Sequence, residues 1–94
     1  MSTKEQLTEI LDFLNDTKMR ATYGAVAGYL GVKPRGMGQL LGEHSLRNSW
    51  VVNEKKDVPT DYPPELIHPE LHRLSLRIDT ADKLSRGLQR WRQI

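Results

Sequence analysis

The chain contains no cysteine, a single phenylalanine and no long apolar run. Each absence removes a class of function. Without a thiol there can be no disulfide, no thiolate zinc site and no cysteine nucleophile. No stretch approaches the roughly 20 apolar residues that a membrane span requires. The first residues, with Glu5, Glu9 and Asp12, also lack the basic-then-apolar layout of a secretory signal. A soluble, cytoplasmic protein with no membrane partner is therefore expected. A strong charge imbalance is missing too, because 14 Lys and Arg against 12 Asp and Glu leave a net +2. Totals of that size carry no argument for nucleic acid, so the distribution has to carry it. Ninety-four residues make one small domain, 1–94, too short for two cores.

The charges are unevenly placed. Lys18, Arg20, Lys33, Arg35 and Arg47 face only Glu43 between positions 18 and 47, whereas the first segment carries Glu5, Glu9, Asp12 and Asp16 against Lys4. The last segment adds Lys83, Arg86, Arg90 and Arg92 after Asp82. An ordinary solvated face accounts for such a tail as readily as a partner does.

Ser2 followed by Glu5 is a capping-box signal, and Leu7, Ile10, Leu11 and Leu14 recur at helical spacing, predicting a helix over 3–16. Thr22 is a good N-cap for a second helix over 23–30, with Tyr23, Val26, Ala27 and Leu30 as its apolar stripe and Gly31 as its stop. Pro34 suits a helical first turn, so a third helix is expected over 34–42, buried through Met37, Leu40 and Leu41. The few residues between the second and third helices fit a helix-turn-helix. Trp50-Val51-Val52 reads as a strand, Lys55-Lys56-Asp57 as a turn, and a second strand after it would complete a hairpin wing at about 50–62. Four prolines make 58–71 an irregular loop, Leu74 to Ile78 alternates like a short strand, and a last helix is expected at about 80–92. The expected fold is mainly α with a small β hairpin, a winged helix-turn-helix.

The run from Thr22 to Ala27 (Thr-Tyr-Gly-Ala-Val-Ala), the block Arg35-Gly36-Met37-Gly38-Gln39-Leu40-Leu41, and Val51-Val52-Asn53 together resemble the DNA-binding domain of the alkylguanine-DNA alkyltransferases. They resemble more closely the alkyltransferase-like proteins, the non-enzymatic relatives that hold damaged bases without repairing them. The resemblance spans about 5–62. The family's Pro-Cys-His-Arg block, which carries the acceptor thiol, is missing. The resemblance implies duplex DNA as partner, bound through the minor groove, and a modified, alkylated base rotated out of the stack. It further implies a DNA-repair protein downstream, no cofactor and no small-molecule substrate. It makes Arg35 the finger that fills the vacated place and Tyr23 the residue pressing on the neighbouring phosphate. A planar cation with five donors can hydrogen-bond an orphaned base and partly replace its stacking. An ordinary phosphate-binding arginine is the alternative. Thr22, Gly24 and Gln39 are candidate phosphate contacts, with Lys33, Gly36 and Arg47 on the same expected DNA-binding surface. Asn48 or Trp50 stands where the acceptor cysteine would lie, and Tyr62 falls near the family's pocket loop. The candidate modified-base pocket is thus Tyr23, Asn48, Trp50 and Tyr62, although a tryptophan such as Trp50 is more often simply core.

Gly36 and Gly38 each cost about 1 kcal/mol of helix stability relative to alanine, so they call for close approach by DNA or by another helix. Two competing functions remain. A transcription regulator could use Arg35 and Gln39 on major-groove edges, and a protein-interaction module could dock a partner on the basic tail and proline-rich loop. Catalysis finds no foothold, since His44, Ser45, Ser49 and the acids show no nucleophile-and-base pattern, and Pro69 interrupts the His68/His72 pair as a zinc motif.

Overall fold

A computed structural model of the chain describes residues 2–72 and 77–93. Helix α1, Thr3–Thr17, starts at the expected capping box: the Glu5 amide donates to Ser2 Oγ at 3.1 Å, and the Ser2 amide to Glu5 Oε1 at 3.4 Å. It ends one residue beyond expectation, at a left-handed Lys18. Strand β1, Arg20–Thr22, leads directly into helix α2, Tyr23–Leu30, which Gly31 terminates. Pro34–Gly36 forms a 3-10 turn that runs into the short helix α3, Met37–Leu41. Strands β2, Val51–Val52, and β3, Arg77–Ile78, precede helix α4, Ala81–Arg92, capped by Thr80. The alternating strand expected over 74–78 is β3 at its last two residues, and 74–76 lie outside the described residues.

The architecture is mainly helical with a small three-stranded sheet, and it corrects the sequence in two places. The expected hairpin is absent among the described residues: β2 pairs with β1, not with a following strand, and does so in parallel, Ala21 opposite Val51 and Thr22 opposite Val52. On the other edge β3 also runs parallel to β1, giving the order β2-β1-β3. Val51 and Val52 are fully buried, as a strand covered on both faces should be, whereas a wing strand would leave one face wet. Beyond β2 the chain turns sharply. Asn53 Oδ1 accepts the Lys55 amide, the Asn53 amide donates to Val58 O at 2.8 Å, and Asp57 is left-handed. Pro59, Pro63 and Pro64 then remove the ladder donors a return strand would need.

The second correction concerns the third helix, which is not one element over 34–42. Its glycines weaken it, and only Met37–Leu41 is α-helical. Gly42 stops it at φ 74°, ψ −140°, a conformation that essentially only glycine adopts.

One core joins these elements. Leu7, Ile10 and Leu14 of α1, Val26 of α2, Met37 of α3, Trp50 and the two valines of β2 are buried together with Leu84 and Leu88 of α4. Helices α2 and α4 approach closely at Gly28, where a Cβ would lie 3.2 Å from that of Ala81.

Candidate functional site

Thr22 is buried and caps α2, its Oγ1 accepting the Ala25 amide at 3.1 Å, which places Tyr23 on the first turn. The Tyr23 ring is half-buried, and its hydroxyl accepts the Thr60 amide at 3.0 Å, so the ring is tied to the proline-rich loop. The 3-10 turn opened by Pro34 carries Arg35, which is exposed and has no ion pair among the described residues. Tyr62 stacks on His44, ring centroids 4.0 Å apart and planes 27° from parallel, while its hydroxyl accepts the Ser45 amide at 3.3 Å. Burial pushes the Tyr62 phenol above its ordinary value, the Ser45 bond opposes this, and Tyr23 adds to it. The hydroxyl therefore stays protonated.

These three residues meet around a cavity of about 380 Å³, completed by Leu41 and His44 and by Thr60 and Asp61 of the loop. The volume is within the range of small-molecule sites. Two tyrosine rings, the His44 imidazole and one exposed cation line it. Such a site suits a flat ring that needs stacking on its faces and hydrogen bonds at its edge.

The other expected site residues are not gathered there. Trp50 is 1% exposed; its Nε1 donates to Asn15 Oδ1 at 3.0 Å and its ring packs on His68 at 4.6 Å, so it belongs to the core and cannot sandwich a base with Tyr62. Asn48 Nδ2 donates to the Leu41 and Glu43 carbonyls at 2.9 and 3.0 Å, closing the C-terminal end of α3. Arg47 turns back to α1, where it pairs with Asp12 and donates to Thr8 O. Gly36 and Gln39 border a different groove of about 420 Å³, with Thr3, Lys4 and Leu40. Gly24 and Lys33 are exposed at the start of α2 and before Pro34.

The basic block of the sequence is thereby thinned. Arg20 is buried and donates to the Asp57 and Leu71 carbonyls, tying two loops to β1, and Lys18 donates to Asn15 O at 3.0 Å. Lys33 and Arg35 are left as exposed cations. Gly36 and Gly38 do not serve helix packing, since an added Cβ at either meets no atom within 4 Å.

His44, Asp61 and Lys4 escaped sequence reasoning. Nothing local marks His44, whose place depends on closure of the chain onto Tyr62. The prolines marked the loop in the sequence, but not the left-handed turn at Asp61, φ 58°, that shapes it beside the cavity. Of the histidine pair considered as a metal site, His68 packs on Trp50 and the His72 side chain lies outside the described residues.

No protein family, curated protein or solved structure matches this chain.

Proposed function

We propose that the protein is a non-enzymatic, DNA-binding member of the alkyltransferase-like type, on a helix-turn-helix related to the winged form. It holds a modified base extruded from duplex DNA and presents it to an excision-repair protein. The observation that carries this reading is Arg35, exposed and without an ion pair among the described residues, on the wall of a cavity shared with Tyr23 and Tyr62. From the minor groove the guanidinium would fill the gap left by the extruded nucleotide, while the base stacks on the tyrosines; stacking of this kind is worth about 1–3 kcal/mol per base. Lys33 and the amides at the start of α2 would take phosphates. With no thiol in the sequence, the bound base has no alkyl acceptor of the alkyltransferase kind.

A major-groove regulator is less well supported, because α3 offers only five helical residues, under two turns, to lay against base edges. Titration of matched duplexes, one carrying O6-methylguanine, decides between them. Tighter binding to the lesion, weakened by salt, is expected. Arg35→Ala should remove about 2 kcal/mol of lesion preference, roughly thirtyfold. Lys33→Ala should weaken both duplexes alike. Equal affinity for both duplexes in the unaltered protein would favour the regulator, and a silent Arg35→Ala would remove the finger.

A further inference from the structure

A second cavity, of about 460 Å³, lies where the end of α1 meets β3 and α4, and it shares no residue with the Arg35 cavity. Its floor is apolar: Phe13, Met19, Ile78 and the Trp91 ring. Trp91 is a fixed wall, since its Nε1 donates to Asp16 Oδ2 at 2.8 Å and its ring packs against Phe13 at 5.8 Å. Gly87 keeps the floor in place, because a Cβ there would come within 2.8 Å of the Phe13 ring. Around the rim stand Arg77, Lys83, Arg86 and Arg90, and no described acid lines the cavity. Three of these cations pair with carboxylates that are not part of the cavity lining: Asp57 with Arg77 at 2.6 Å, Asp79 with Lys83 at 3.1 Å, Asp82 with Arg86 at 2.7 Å. The last two are exposed pairs one helical turn apart and exchange readily with solvent or another anion. Arg90 has no ion pair among the described residues.

We infer that this groove docks an acidic peptide segment of a partner protein, one large apolar side chain seated on Phe13, Ile78 and Trp91 and its flanking carboxylates on Arg86 and Arg90. Charge complementarity selects the acidic partner, and the apolar floor selects a peptide over a nucleic-acid backbone. Interface energy concentrates where an aromatic anchor fills a pocket ringed by polar contacts, whereas contacts to a nucleic-acid backbone go to phosphate and sugar and make no use of an apolar floor. Since the two cavities share no residue, peptide and duplex should bind together.

The test uses the full chain and a fluorescein-labelled peptide carrying one tryptophan between runs of glutamate, followed by anisotropy and by amide and methyl NMR shifts. Saturable binding that moves Met19 and Ile78 is expected. The double change Arg86→Glu and Arg90→Glu, on exposed positions, should weaken it at least about tenfold, as should replacing the peptide's tryptophan by alanine. Duplex affinity should stay unchanged in that variant, which keeps this outcome separate from the fate of the Arg35 reading. Absence of saturable binding overturns the proposal. So does binding indifferent to the tryptophan, or a charge reversal that weakens duplex and not peptide; the last would make the groove a nucleic-acid surface.

Discussion

Arg35 on its cavity and Lys33 just before it have no ion pair among the described residues, while along α1 and α4 most cations have a carboxylate beside them: Arg47 with Asp12, Arg92 with Glu9, Lys83 with Asp79, Arg86 with Asp82. Asp61 borders the Arg35 cavity without forming an ion pair there among the described residues. The residue types are the same in both regions, so their roles follow from what each guanidinium or ammonium touches. Arg92 reaches Glu9 across the α1–α4 seam and has Tyr29 Oη at 3.5 Å, contacts that raise its affinity for its proton. Such exposed pairs add little stability each. Arg35, with no ion pair among the described residues and two tyrosines beside it, has no carboxylate to displace before it meets a ligand.

The largest effect expected from breaking this contrast is at Trp50. Trp50→Ala should cost about 3–5 kcal/mol in urea unfolding, through lost burial and the loss of its bond to Asn15. Tyr62→Ala should cost much less and should remove base stacking instead. If Trp50→Ala leaves stability intact and abolishes lesion binding, the division between core and cavity is wrong.

Next comes a pair of arginines, Arg20 and Arg35, that the charge pattern alone groups together. Arg20→Met leaves the Asp57 and Leu71 carbonyls without their buried donor and should cost about 2 kcal/mol. Arg35→Met should change stability by under about 0.5 kcal/mol, the usual range for a surface position, while affecting DNA binding. Equal destabilisation by both would show Arg35 to be structural.

How much could be read beforehand follows from the range of each signal. Capping boxes, N-caps and helical apolar spacing act within a few residues, and α1, α2 and α4 stand within a residue of their expected limits. Strand partners are set by distant chain. Arg20–Thr22, lying between the first two expected helices with no strand signal of its own, is the centre of the sheet, and Val51–Val52 finds it across α2 and α3. Within the site, Tyr23 and Arg35 were named by the resemblance alone; what the local signals gave was their setting, Tyr23 just after the Thr22 cap and Arg35 just after Pro34. The places of Arg47, Asn48 and Trp50 were not legible, since nothing in their spacing told that α1 and the end of α3 would claim them.

A smaller effect, of opposite sign, is expected at Gly38. An alanine there meets no neighbouring atom within 4 Å and sits inside a helix, so Gly38→Ala should stabilise the protein by up to about 1 kcal/mol. Gly38 also lines the Arg35 cavity, and the added methyl should weaken duplex binding. Gain in stability with loss of binding would set this glycine with the ligand-facing region; gain in stability alone would remove the argument for close approach.

The smallest effect concerns His68, on the structural side of the comparison. Burial chiefly, and the Lys18 charge after it, lower the imidazole's proton affinity below its ordinary value, with Glu70 opposing. Its Nδ1 accepts the Glu70 amide at 3.1 Å, an arrangement that needs the neutral ring. With the folded value depressed below 6.5, the unfolded chain takes up its proton first as pH falls. Stability should therefore begin to drop near pH 6.5 and level off below the folded value. The carboxylates add their own slope at lower pH, so the informative quantity is the difference between the unaltered protein and His68→Gln across that interval. The variant should be less stable throughout and flatter near pH 6.5. Duplex affinity, read over the same pH range, should follow neither change, because Trp50 and His68 buttress the core behind β2 and not the cavity that Arg35 borders.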